Sequence, residues 1–559
     1  MTGFKLQTFS GTAPKVYERL LPEDMAQVAE NCRLDSGRLN PWKGNQPTSI
    51  SPVANYSISS QTKTLFRYSD TIWIGSDEDI NIVRSPIAED KHERLYITGR
   101  GRYTSDTGFP QMTSAQVVGN GTYYRLGLPD PANIISVALT PAISETVDSE
   151  TGVSATEVPQ TRSYLFTYVS AYGEEGAASV PQISGVVEVH TDQSARVTFP
   201  ANPTGAYNLV YKRLYRTDSS GRYRYVTDVL LDTPHHDDIL LEGQLGETIP
   251  TASFIAPPDQ VTADHPDGSL QGLVSLPNGI LAGFAGQTVC FSEAFQPHAF
   301  PNDYKLTMKS DVVAIAPLSS GLLVLTKEKP AVVQGLDPSS MAMQEIDSTL
   351  SCVSKRSVVD MGEYVMYASP DGLVMGSDGG LQLVTQDILT RDQWQEFAPS
   401  SIIGFQWEGH YIGFYSTGSE DKGFIFDLRV GKNTFVTLGF HATAGFNDLE
   451  NDELYLVVGG SVVKFATGSS LNFSWRTKKF YSPRPINPAV AKVDCDSYSP
   501  SPTFKLYADG VLKHTQTVDD SNVFRLPSGY KANEFEIELT GSTAINEFCV
   551  YESAEEIGG

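Results

Sequence analysis

Five stretches between Gly279 and Thr467 repeat one pattern, and their spacing narrows what the chain can fold into. GILAGFAGQTVCFS begins at Gly279, GLLVLTKEKPAVVQG at Gly321, EYVMYASPDGLVMGS at Glu363, HYIGFYSTGSEDKGFIFD at His410 and DELYLVVGGSVVKFAT at Asp452, with spacings of 42, 42, 47 and 42 residues. Each is an apolar strand, a tight turn rich in Gly, Pro or Asp, and a second apolar strand. A period of roughly 40–45 residues with about four short strands per unit is that of a β-propeller blade. The apolar residues fall in short β-branched and aromatic runs and not at 3.6 spacing, so no helical repeat fits. TLFRYSDTIWIGSDEDINIVRS, at 64–85, has the same strand–turn–strand character. An open ring leaves unpaired strand edges, so this segment is expected to close the ring beside 452–467 and bring the count to six blades.

Around the repeats the texture changes. Residues 1–45 read as an extended arm with one short helix. Pro22, Glu23 and Asp24 suit a helix start, and Met25, Val28, Ala29 and Cys32 then form one stripe that Gly37 and Pro41 end. Residues 46–128 hold the detached blade and loops. From 129 to 258, SYLFTYVSAYGEEGAAS, GVVEVH, ARVTFPA, NLVYKRLYRTD and YRYVTDVLL follow at short intervals between turn residues. In the first of these, Leu165, Thr167 and Val169 take one face and Tyr164, Phe166 and Tyr168 the other. Six or seven strands in about 130 residues describe an inserted β-sandwich, similar in pattern to fibronectin type III modules. Blades continue over 259–480. Residues 481–559 form a last, sandwich-like β domain, where EFEIELTG at 534–541 puts Phe535, Ile537 and Leu539 inward and Glu534, Glu536 and Glu538 outward. The fold class expected is all-β: a six-bladed propeller, an inserted sandwich and a C-terminal β unit.

Charge excludes some functions. Lys and Arg number 41 against 66 Asp and Glu, a formal net charge of −25. Such a body is not a general nucleic-acid binder, since phosphate contacts need Lys and Arg, and it is not suited to an anionic membrane surface. No apolar run approaches the roughly 20 residues of a spanning helix, and MTGFKLQTFSG has no hydrophobic signal segment. Cys32, Cys290, Cys352, Cys495 and Cys549 form no CxxC pair. Neither a zinc ribbon nor a disulfide framework is indicated, and folding in a reducing cytosol is expected.

Motifs for chemistry are few. The chain has no GxSxG elbow, HExxH pair or GxxxxGK[ST] loop. HHDD at 235–238 would alternate faces on an extended chain and cannot converge on one ion. SDEDIN at 76–81 has three carboxylates but not the glycine and downstream acid of a calcium loop. No catalytic, cofactor-binding or metal-binding residues are therefore assigned, and the chain is not expected to be an enzyme. SWRTKKF at 474–480 concentrates Arg476, Lys478 and Lys479 in an acidic protein. That spot is either a docking site for an acidic partner or a charged edge strand that discourages sheet stacking.

Several phrases carry a resemblance. LLPEDMAQVAENCRLDSGRLNPWKG (20–44), CFSEAFQPHAFP (290–301), SCVSKRSVVDMGEYVMYASPDGLV (351–374) and QLVTQDILTRDQW (382–394) resemble virion structural proteins of tailed bacteriophages and prophages. The architecture is similar to the tail nozzle, also called tail hub or tail tubular protein B, of short-tailed phages. The resemblance implies a propeller-bearing subunit that assembles as a hexameric ring beneath head-to-tail adaptor proteins. The ring would extend the DNA ejection channel and hold tail fibres or spikes. Double-stranded DNA would pass without specific binding, and this chain would not insert in a membrane. The protein would be made in the host bacterial cytoplasm and reside in the virion tail. The module at 129–258 departs from some members of the family. Alternative readings are another connector or baseplate propeller, or a propeller glycan-binding protein or glycosidase.

Overall fold

The computed structural model describes residues 3–50, 58–99, 111–113, 124–132, 134–140, 159–182, 185–190, 193–250, 253–258, 268–428 and 434–557. Among these the regular structure is nearly all β-strand, arranged in many small sheets, with one short α-helix, Arg391–Gln395, and a few 3-10 turns. It divides into two compact units. Met1–Glu78, Ala316–Val332 and Gln344–Gly559 make the first; Asp79–Ile315 and Val333–Met343 make the second.

In the first unit, four-stranded antiparallel sheets follow one another along the chain. One runs Val359–Asp360, Val365–Ala368, Leu373–Ser377, Gly380–Leu383; the next runs Ile403–Trp407, His410–Ser416, Asp421–Asp427, Thr434–Leu438. A third, Ala444–Asp448, Glu453–Val458 and Ser461–Lys464, takes its fourth strand from Gln46–Pro47. The segment 64–85 is not one blade: Thr64–Arg67 and Trp73–Ser76 form a two-stranded sheet that lies against this third sheet, where Trp73 joins Ala444, Tyr455 and Val457 in one cluster, while Asn81–Arg84 pairs with Leu95–Thr98. The apolar strands bury large aromatics between neighbouring sheets, and glycine makes room for them. A Cβ at Gly413 would stand 2.3 Å from the ring of Phe424. Trp394 is fully buried on the short helix, which Thr390 and Gln393 start with a capping box.

The arm departs from expectation. The stripe starting at Met25 is not a helix: Ala26–Glu30 and Cys32–Arg33 are strands. Ala26, Ala29 and Cys32 are buried three residues apart, as on a helix, but a register shift between Ala26 and Val28 sets the first interval and a strand break at Asn31, with φ 56°, sets the second. Val28, assigned to the buried stripe, is 41% exposed. Ala26–Glu30 runs parallel to Thr434–Leu438 on one side and antiparallel to Phe473–Thr477 on the other. Ladder bonds on both edges outweigh a single short helix, which is marginal by itself in water.

Through that strand the blade-like sheet at 403–438 becomes part of a ten-stranded sheet that continues into Ala532–Gly541, Thr503–Ala508 and Val511–Thr517. A second sheet orders Gly3–Leu6, Ile545–Tyr551, Val490–Cys495 and Phe524–Arg525. Between them lie Phe9, Trp475, Phe504, Ile537, Leu539 and Phe548. Phe535, Ile537 and Leu539 are buried as expected from their alternation. Glu536, expected outward, is only 2% exposed. Arg476 and Gln27 cover it, so the far face of this strand is occupied too.

The second unit holds two four-stranded sheets, Asn81–Arg84, Leu95–Thr98, Gln111–Thr113, Tyr124–Arg125, and Gln271–Leu276, Ile280–Ala285, Thr288–Phe291, Lys305–Thr307. Tyr96, Leu126, Leu273, Leu281 and Phe300 share their core. Two smaller sheets, Ser136–Leu139 with Ala195–Thr198 and His235–Asp238, and Tyr164–Ser170 with Leu209–Thr217 and Tyr223–Leu230, supply another core of Phe166, Val197, Phe199, Leu214 and Val226. All seven residues of Tyr164–Ser170 are buried, so both of its faces are covered. One further four-stranded sheet runs Val312–Leu318, Gly321–Thr326, Ala331–Gln334, Ala342–Glu345. No helix among the described residues is long and apolar enough to cross a membrane.

Candidate functional site

The strongest concentration of polar chemistry in the first unit is built by a hairpin and the arm. Trp407 and His410 are paired across a two-residue turn, Glu408-Gly409, in which both residues have positive φ, 47° and 74°. This is the turn geometry that suits the twist of antiparallel strands, and Asn-Gly normally supplies it. A glutamate there is strained, and its carboxylate is held by Arg33 at 2.7 Å. The register Tyr411↔Phe426 sets His410 opposite Asp427 on the neighbouring strand. From the arm, the turn after Cys32–Arg33 brings in Asp35.

The three side chains converge. His410 Nε2 lies 3.4 Å from Asp35 Oδ1 and 3.3 Å from Asp427 Oδ2. His410 and Asp427 are almost fully buried, at 2% and 1% side-chain exposure. The other ring nitrogen, Nδ1, faces the Trp407 carbonyl oxygen at 3.2 Å. Arg33 Nε donates to Asp35 Oδ2 at 2.8 Å, and its guanidinium lies over Trp42, 4.9 Å from the ring centroid. Trp42 also meets His410 edge-on. Burial works to raise the Asp35 carboxyl, but the hydrogen bonds and charges of His410 and Arg33 outweigh it and hold it at about 2. Both imidazole nitrogens face oxygen acceptors. Sequence reading missed this group because the members are 375 residues apart from Asp35 to His410, with no local motif.

The basic stretch has internal partners. Arg476 pairs with Glu536 at 2.7 Å and lies over the Tyr507 ring, 4.2 Å from its centroid. Lys478 donates to the Leu21 carbonyl, and Lys479 pairs with Glu18. All three therefore fasten the arm and the C-terminal strands. In HHDD, Asp238 accepts from Arg216 and Tyr164, both at 2.7 Å, and Asp237 is gripped by Arg196. In SDEDIN, Asp77 accepts from the Ser59 and Thr62 hydroxyls. All five cysteines are free and buried. Burial pushes the Cys352 and Cys495 thiols up to about 12, so neither is a reactive thiolate.

A cleft of about 430 Å³ opens where the strands starting at Val359, Ile403 and Ala444 meet, lined by Asp360, Gly404, Gln406, Asn447 and Leu449 among others. Asn447 Nδ2 donates to Gln406 Oε1, and Asp360 caps its own turn by accepting from Gly362 N–H. Asp360 is the only carboxylate among the lining residues.

No protein family and no curated protein matches the chain. Solved structures to which it bears a likeness include the dihydro-heme d1 dehydrogenase NirN in complex with DHE, at 11% identity over 66% of this chain and 74% of that one, TM-score 0.25. A chain of a mitotic checkpoint complex is similar at 7% identity over 49% of this chain and 85% of that one, TM-score 0.23. An exo-β-1,3-galactanase from Phanerochaete chrysosporium is similar at 10% identity over 91% of this chain and 99% of that one, TM-score 0.19. Likeness this slight carries no argument about function.

Proposed function

We propose that the protein is a structural subunit of a bacteriophage tail, a nozzle or hub component that assembles as a hexameric ring and extends the DNA ejection channel. On this reading the five four-stranded meanders and the sheet at 444–464, completed by Gln46–Pro47, are six propeller blades, and the two smaller sheets of the second unit form an inserted fibronectin-III-like sandwich. The sequence resemblance to phage virion proteins supports this reading. The observation that supports a structural role is the course of the N-terminal arm. Its strands Gly3–Leu6, Ala26–Glu30 and Gln46–Pro47 enter three different sheets of the first unit. Ala26–Glu30 makes the sheet at 403–438 continuous with the C-terminal strands, so tension on one reaches the other through a hydrogen-bonded ladder. A part that must keep its shape while DNA passes benefits from such cross-ties. Adaptor proteins and fibres or spikes are the neighbours expected.

The channel makes a second demand. Each phosphate neutralised by Lys or Arg adds salt-dependent affinity, so a basic lining would retain the genome. A chain of formal charge −25 can supply an acidic or neutral lining, which repels DNA weakly over a Debye length of about 8 Å.

Cryo-EM of intact particles tests the assignment. Six copies in a ring on the tail axis, with a lumen free of continuous basic density, are expected. A position off the axis, or a different symmetry, overturns it.

A further inference from the structure

We propose that Asp35, His410 and Asp427 form a site for a divalent transition-metal ion of the zinc class, which fastens the arm turn bearing Asp35 to the sheet at 403–438.

The geometry fits an ion in several ways. One ligand atom from each residue, two carboxylate oxygens and an imidazole nitrogen, lies within 4.8 Å of the other two. For metal–ligand bonds of about 2.1 Å, tetrahedral neighbours stand about 3.4 Å apart. The Nε2 distances to the two carboxylates, 3.4 and 3.3 Å, match that edge. Nδ1 faces the Trp407 carbonyl at 3.2 Å, so an N–H placed there fixes the tautomer with the Nε2 lone pair turned to the carboxylates. A histidine ligand is commonly oriented in this way by a backbone carbonyl.

The surroundings complete the argument. Arg33 occupies Asp35 Oδ2 and leaves Oδ1 toward the histidine. Trp42 and Trp407 flank the Arg33 guanidinium. The mixed nitrogen and oxygen set favours zinc-class ions over Mg²⁺ or Ca²⁺, which prefer oxygen alone. Because the ligands are far apart in sequence, the ion binds only the folded chain and stabilises it by mass action.

The test uses the full chain, stripped with EDTA. Zn²⁺ titration is expected to show one site per chain with a rise in melting temperature, and Mg²⁺ or Ca²⁺ is expected not to compete. Co²⁺ should give visible d–d bands with no thiolate charge-transfer band. Asp427→Asn and His410→Gln should each weaken Zn²⁺ binding by at least about 100-fold, whereas His235→Ala with His236→Ala should retain it. If the site variants do not fold, the Co²⁺ spectrum of the native chain decides. Absence of d–d bands, or full Zn²⁺ binding by folded site variants, overturns the proposal.

Discussion

Trp73 lies edge-on to Tyr455, with ring centroids 4.7 Å apart, and so joins an early hairpin to a sheet formed near the other end of the repeats. Its indole is 3% exposed and also meets Phe446. Arg67, on the partner strand of the hairpin, pairs with the nearly buried Asp448 of the same sheet. Trp73→Ala removes the aromatic area and leaves a cavity, and is expected to cost roughly 3–5 kcal/mol. Chemical denaturation of wild type and variant measures it. A loss below about 1 kcal/mol would show that the sheet does not depend on the hairpin.

The arm makes a larger prediction. Deleting residues 1–47 removes a strand from each of three sheets. It exposes the edges of Thr434–Leu438, Phe473–Thr477 and Ser461–Lys464, which are ready to pair with other chains. The truncated protein is expected to aggregate on expression. A soluble, cooperatively melting product would refute the view that the arm holds these sheets together.

Two basic residues of the 474–480 stretch should behave differently. Arg476 covers Glu536, whose side chain is 3% exposed, so Arg476→Ala leaves a buried carboxylate without its main cation. A cost of about 2–3 kcal/mol is expected, reduced from the fully buried case because the arginine is itself partly exposed. Lys479 pairs with the half-buried Glu18 near the surface, and Lys479→Ala should cost less than about 1 kcal/mol. Equal effects of the two substitutions on unfolding free energy would contradict this ranking.

His298 predicts a pH dependence in the second unit. It is 2% exposed, its Nε2 faces the Glu175 carbonyl oxygen at 2.9 Å, and its Nδ1 is 4.0 Å from a Glu174 carboxylate oxygen. Burial pushes its pKa below the usual 6.5, Arg94 adds to that, and Glu174 and Glu175 oppose it. With the folded value depressed, the unfolded chain binds more protons below pH 6.5. Stability is therefore full above that value and falls as pH drops toward the folded pKa, by at most about 1.4 kcal/mol per pH unit. His298→Gln, which can keep the bond to the Glu175 carbonyl, should flatten the melting temperature between pH 7 and 5. Parallel profiles for wild type and variant would remove His298 as the cause.

Local properties were legible in the sequence alone. The 42-residue spacing and the paired apolar runs define strands such as Gly321–Thr326 and Glu453–Val458, and alternation places Phe535, Ile537 and Leu539 inward. These readings succeed because burial on one face of a strand writes a period of two into the residues themselves. Tertiary structure decided the rest. Ala26–Glu30 became a strand because two distant edges claimed its backbone, and Glu536 was buried because Arg476 and Gln27 closed over it. Asp35 met His410 and Asp427 only through the folding of the arm onto a hairpin. Backbone pairing and charge matching between segments hundreds of residues apart depend on which edges are left open when the chain closes, and no local window of sequence contains that information.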